Sequence, residues 1–324
     1  MGDASPRVGL VLGAGGVAGG AFHAGVLAAI HEVTGWDPRR AAYLVGTSAG
    51  SISAASLRAG LSAGDLLART EGRRLSAEGA RLMRDVGPMR RPPAARPAPQ
   101  PRSAASLAAS LAGAATRPFA SVPWARLAGL LPEGSISTDV ISSSIEGFFP
   151  EQWPAEPLWF CAVRQRDGGR VVFGRDARPP VPDAVAASCA IPGFFRPVTI
   201  DGEAYIDGGV HSPTNADVLL GVRAELDLVI VSSPMSISGG GLRMSTDQPA
   251  RRWSRTLLNS ESIRLRGRGL PVIAFQPTPE DAAVMGPNAM DPGRRVPVAR
   301  QAHGSAVRRL ARADTRARLA ALYR

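Results

Sequence analysis

Twice in the first 60 residues a short run of apolar and β-branched side chains stops on a glycine-containing turn and resumes as a helical pattern. Arg7–Leu12 (RVGLVL) and Ala41–Val45 read as strands buried on both faces. The stretches Gly20–Val33 and Ile52–Leu57 that follow them carry apolar residues at helical spacing. Strand–turn–helix in series predicts parallel strands joined by right-handed crossovers. Further on, Leu158–Val163 and Arg170–Phe173 read as a hairpin about Asp167-Gly168-Gly169, and Glu203–Ile206, Leu226–Ser232 and Leu270–Phe275 read as strands. Helical patterns fall at Ser137–Phe149 and Asp183–Ala190, and weakly over 60–84. The expected fold is α/β, a mostly parallel sheet flanked by helices on both faces.

One long stretch resists this pattern. Val86–Arg102 holds six Pro and four Arg with no acid, a composition that packs no core and predicts an extended exposed loop. The expected organisation is therefore a tail at 1–6 and one domain over 7–324. That domain is interrupted by a Pro/Arg-rich insertion at about 86–118 and closed by a basic helix at about 301–324.

Composition removes several chemistries. The net charge of +11 comes entirely from arginine, because the chain has no lysine, which excludes a Walker-type phosphate loop, a Ser–Lys dyad and a Schiff-base lysine. Two cysteines, Cys161 and Cys189, form no disulfide framework or zinc site and fit a reducing compartment. The four histidines show no metal-ligand spacing. Val8–His31 lacks charge, but seven of its residues are glycine, clustered at a turn, so no membrane span is expected there. The start reads as neither signal peptide nor lipid anchor, and the expected location is cytoplasmic. Nothing interleaves aromatic and basic residues as nucleic-acid binding requires.

Three glycine-bearing turns carry chemistry. Gly46-Thr47-Ser48-Ala49-Gly50 is a G-x-S-x-G sequence between a predicted strand and a predicted helix, where small neighbours let a serine hydroxyl project above the sheet edge. Gly13-Ala14-Gly15-Gly16-Val17-Ala18-Gly19 ends the first strand, and consecutive glycines at a helix N-terminus let backbone amides converge on developing negative charge. The same residues fit a dinucleotide fingerprint, but that site needs an acid at the end of the second strand, which instead ends in Gly46-Thr47-Ser48. Asp207-Gly208-Gly209 is the third turn. On its own it reads as a turn; paired with a serine that lacks an obvious histidine partner, it supplies a carboxylate.

In order and spacing these segments resemble the patatin-like phospholipases. The resemblance extends to Gly25-Val26-Leu27 and to Ala187-Ser188-Cys189-Ala190-Ile191-Pro192-Gly193, and covers most of residues 7–235. It implies a Ser–Asp dyad with Ser48 as nucleophile and Asp207 as general base. It also implies an oxyanion hole drawn from the amides of Gly13, Gly15, Gly16 and Val17, lipid carboxyl esters as substrates, and no metal or organic cofactor. The chain departs from many members at Ala18, where they carry Arg or Lys. Two alternatives are a Ser-His-Asp esterase using His211, and a non-catalytic nucleotide- or lipid-binding protein on the same scaffold. The basic C-terminal stretch, with seven Arg and one Asp between Arg300 and Arg324, reads as a packed helix with a solvated face. Its sharper reading is peripheral contact with an anionic membrane.

Overall fold

The computed structural model describes residues 6–86, 134–149, 153–238 and 248–323. All of the expected insertion except Val86 lies between or beside these stretches up to residue 118, outside the described residues, as do residues 1–5 of the tail.

The chain begins β1 (Val8–Leu12), α1 (Gly16–Thr34), β2 (Tyr43–Thr47), α2 (Ala49–Arg58), followed by α3 (Ala63–Glu71) and α4 (Ala77–Asp85). The middle of the chain contributes α5 (Asp139–Glu146), β3 (Leu158–Arg164), β4 (Arg170–Phe173), α6 (Val181–Ser188), β5 (Val198–Ile200) and β6 (Glu203–Asp207). After a 3-10 segment at Ala216–Glu225 come β7 (Leu228–Ser232), α7 (Gln248–Arg266), β8 (Val272–Phe275), α8 (Pro279–Met285), α9 (Arg295–Leu310) and α10 (Ala313–Arg318).

The strands form one sheet in the order β5-β6-β3-β2-β1-β7-β8, with β4 also paired to β3. β3, β2, β1, β7 and β8 run parallel; β4 and β6 each pair antiparallel with β3, and β5 pairs antiparallel with β6. Side chains alternate across the central strands. Leu10, Leu12 and Ile230 pack on one face against α1, α2 and α9, while Val11, Val229 and Val231 pack on the other with Leu258 and Leu265 of α7 and Leu219 of the 3-10 segment. The helices thus cover both faces, as a buried parallel sheet requires.

The register around β3 places the site. Cys161 pairs with Thr47 of β2 and Val172 of β4, and Ala162 pairs with Val171 of β4 and Asp207 of β6. A residue has only two hydrogen-bonding edges, so β2 and β6 share the edge opposite β4 and meet end to end. Residues 47 and 207 therefore stop side by side, although 160 residues separate them.

Two expectations are corrected. The glycines of the first segment do not all belong to the turn. Gly25 lies in mid-helix, where a methyl group would strike the carbonyl oxygen of Ala299, so it sets the close crossing of α1 and α9. The C-terminal basic segment is not one helix from 301 to 324. α9 ends at Leu310, and α10 starts at Ala313 after a turn, which lets Leu310, Leu319 and Leu322 all reach the core.

Candidate active site

Ser48 sits on the turn from β2 to α2 with φ 55 and ψ −124, a conformation that costs a non-glycine residue about 1–3 kcal/mol. The turn survives because its neighbours are small. A methyl group on Gly50 would collide with the carbonyl oxygen of Leu12, and one on Gly46 would strike the backbone of Ser51. The strained backbone is pinned from α6: the Ser48 amide donates to Ser188 Oγ at 3.1 Å, and Ser188 in turn donates to the carbonyl of Cys161 at 2.6 Å. Since the single hydroxyl proton of Ser188 is used there, Ser51 is the donor in the 2.8 Å bond between the two hydroxyls.

Asp207 closes β6 and is, like Ser48, 4% exposed. Its amide donates to the carbonyl of Ala190 (2.9 Å), and its Oδ1 accepts the Gly209 amide at 2.7 Å. Gly208 packs so closely on the backbone of Cys161 that no side chain fits. Burial pushes the Asp207 carboxyl up to about 6, even though hydrogen bonding from the adjacent Ser48 hydroxyl and from Gly209 pulls the other way. A buried carboxylate next to a serine hydroxyl, titrating near neutrality, has the properties of a general base.

The glycine loop lies above the same sheet edge. The Gly13 amide donates to Ser232 O at 2.9 Å and the Ala14 amide to Pro213 O at 2.7 Å. The expected place of Gly13 among the oxyanion donors is therefore corrected: its N–H is already engaged in holding β1 to the end of β7. The amides of Gly15, Gly16 and Val17 have no acceptor among the described residues and open the first turn of α1. Gly16 takes φ 59, and a methyl group on it would lie 2.9 Å from Ala289 O and 2.8 Å from Met290 Sδ. The Ala289 carbonyl also accepts the Ala18 amide at 2.9 Å, so the 286–291 loop braces the glycine loop from outside.

Sequence reasoning missed three further side chains. His23, fully buried on α1, bonds Ser232 Oγ through Nδ1 and the Gly13 carbonyl through Nε2, both at 2.8 Å. Its tautomer follows: Nε2 carries the proton to the carbonyl, and Nδ1 accepts from the hydroxyl. Burial lowers its pKa to about 4, so it braces the loop as neutral imidazole. Ser188 stood in plain view within A-S-C-A-I-P-G, but nothing in the sequence aims it at the Ser48 amide. Asn215, in the left-handed conformation that asparagine tolerates, donates from Nδ2 to Thr47 Oγ1 (3.2 Å) and to the carbonyls of Gly208 (3.3 Å) and Ser212 (2.5 Å). Its Oδ1 accepts from Arg170, which also pairs with Asp217 at 2.6 Å.

The remaining candidates fall elsewhere. His211 is held low by burial and by Arg170 and Arg264, with Asp217 opposing, so its charged neighbours are that cluster. No hydrogen bond among the described residues joins it to Ser48 or Asp207. Burial pushes the Cys161 thiol up to about 12 and Cys189 well above its ordinary value, which keeps both in the unreactive thiol form.

No curated protein matches the chain in sequence. Among solved structures, VipD from Legionella pneumophila aligns with a TM-score of 0.42 and 12% identity, over 94% of this chain and 66% of that one. The family model described as patatin-like phospholipase matches residues 10–220, a span that takes in the glycine loop, the Ser48 turn and the Asp207 turn alike. With that match covering well over half of its length, the chain belongs to the patatin-like phospholipase family.

Proposed function

We propose that this chain hydrolyses carboxyl esters of lipids through Ser48 and Asp207. The observation that carries this reading is the end-to-end meeting of β2 and β6 on one edge of β3, which sets a strained serine beside a buried carboxyl group. In the forward step the Asp207 carboxylate takes the Ser48 hydroxyl proton as Oγ bonds to the ester carbonyl carbon. The carbonyl π electrons move onto oxygen, and the amides of Gly15, Gly16 and Val17 donate hydrogen bonds to the oxyanion that results. As the tetrahedral species collapses, the carbon–alkoxide bond breaks and the proton on Asp207 passes to the departing alcohol. Water then repeats the sequence on the acyl-enzyme, giving up its proton to Asp207, and the free acid leaves Ser48 protonated again.

Lipid as the substrate class follows from the family. Arg308, Arg312, Arg316 and Arg318 are exposed on the C-terminal segment and suit peripheral attachment to an anionic bilayer, at about 1 kcal/mol for each residue near the surface. Vesicle binding that weakens as salt rises is the expected behaviour. Among the described residues no helix is long and apolar enough to cross a membrane.

A fluorophosphonate probe tests the catalytic reading. The expected result is a single covalent adduct mapped to Ser48 and absent from Ser48→Ala. A folded chain that hydrolyses esters yet takes no label at Ser48 overturns it, and one that takes no label and shows no turnover is the binding protein of the alternative reading.

A further inference from the structure

The loop Gly208–Asn215 connects all three segments assigned above to the reaction. Its Pro213 carbonyl accepts the Ala14 amide of the glycine loop at 2.7 Å. Its Asn215 side chain donates to Thr47, the residue before the nucleophile, and to the Gly208 carbonyl, next to the base. A shift in this loop therefore moves base, elbow and glycine loop relative to one another.

One side chain holds that loop from a distant element. Glu261 on α7 is 3% exposed. Its Oε1 accepts the Ser212 hydroxyl at 2.6 Å, while Oε2 accepts the Thr214 hydroxyl at 2.6 Å and the Ala216 amide at 2.9 Å. Ser212 is itself committed, because its Oγ also accepts the amides of Thr214 (3.3 Å) and Asn215 (3.2 Å). All three partners of Glu261 are donors, the pattern that suits an ionised carboxylate. Burial and the nearby charge of Asp217 push its pKa up, and the three donors oppose that rise. Glu261 lies outside residues 10–220, so the segment matched by the family model does not contain the group that fastens its own loop.

We infer that Glu261 is a positioning residue for ester hydrolysis, a buried carboxylate whose hydrogen bonds to Ser212, Thr214 and Ala216 fix Asp207 relative to Ser48 and the oxyanion amides. The inference rests on the Ser48–Asp207 reading. It makes α7 part of the catalytic apparatus although none of its side chains is required to touch substrate. Replacing Glu261 by Gln keeps the shape but turns an amide N–H₂ either toward Ser212 or toward both Thr214 and Ala216. Because Ala216 N–H cannot become an acceptor and Ser212 already accepts twice, at least one bond is lost in either orientation and the loop loosens.

The test uses the full chain with a soluble short-chain p-nitrophenyl ester, comparing Glu261→Gln, Thr214→Val and Ser48→Ala with wild type and scaling rates to folded protein by circular dichroism. For Glu261→Gln the expectation is a kcat lower by about tenfold or more with KM within about twofold, the loss a buried charged hydrogen bond carries. The acid limb of its pH profile should not move, and fluorophosphonate labelling of Ser48 should slow by the same factor. Thr214→Val, which removes one donor without touching the carboxylate, should lower kcat in the same direction and carries the test if Glu261→Gln does not fold. Wild-type kcat per folded molecule in both variants, even with lowered melting temperatures, would make Glu261 merely structural and overturn the inference. Wild-type turnover by Ser48→Ala would instead remove the reading on which it rests.

Discussion

Ser188 holds Ser48 by the backbone: its hydroxyl oxygen accepts the Ser48 amide at 3.1 Å while its own proton goes to the Cys161 carbonyl at 2.6 Å. The nucleophile's positive φ is thereby tied to β3 through a side chain on α6. Ser188→Ala leaves a buried amide and a buried carbonyl without partners, at about 1–3 kcal/mol for each group. The expected outcome is a folded protein with kcat reduced about 10- to 100-fold, about 1.4 kcal/mol per tenfold step. Steady-state kinetics alongside thermal melts measure it; an unchanged kcat would mean the elbow keeps its geometry without this bond.

Gly16 offers a second handle. Its φ of 59 and the Ala289 carbonyl leave no room for a methyl group, so Gly16→Ala must displace an amide assigned to the oxyanion. Loss of one such donor lowers kcat by about 10²–10³. Gly20, four residues on in the same helix, has open space around it and serves as control. There Ala should leave kcat alone and stabilise the helix by up to about 1 kcal/mol. Equal kinetics for the two variants would locate the oxyanion donors elsewhere.

Asp207 makes a prediction in which stability and activity pull apart. Its carboxyl titrates at about 6 in the folded chain against an ordinary 3.8. The folded state therefore holds the proton more tightly than the unfolded one. Stability is least burdened below pH 3.8, falls as pH rises from 3.8 to 6, and above 6 carries the full cost of the buried charge. At about 1.4 kcal/mol per pH unit that cost is about 3 kcal/mol. Asp207→Asn should consequently unfold at higher denaturant than wild type at pH 8, with the difference gone near pH 4, while wild-type turnover climbs through an acid limb near pH 6. Identical denaturant midpoints at pH 8 would show that the carboxylate is not desolvated.

The five parallel strands and the glycine turns at 13–19 and 46–50 were legible because a buried parallel strand is a continuous apolar run and an elbow admits only small residues around its serine, whereas the three-residue strand β5 is too short to show a pattern. The braces were not. His23 reads as one more residue of an apolar helix, and its two bonds depend on β1 and β7 ending together, which is tertiary information. Gly13 looked equivalent to Gly15 in sequence, yet only the neighbouring strand decides that its amide is spent on Ser232. The break at Ala311 in the basic C-terminal segment arises in the same way. Three leucines must turn toward one core, and helical periodicity alone does not demand it.

The division of labour between Asp207 and His211 is the central claim, and one comparison of kcat/KM at pH 8 on a soluble short-chain ester decides it. Asp207→Asn should lose about 10³-fold or more, as expected when one member of a nucleophile–base unit is removed. His211→Ala, which alters only the cluster around Arg170, Asp217 and Arg264, should stay within a few-fold of wild type. Wild-type kcat/KM in Asp207→Asn together with its loss in His211→Ala would contradict the dyad and assign the proton transfer to histidine.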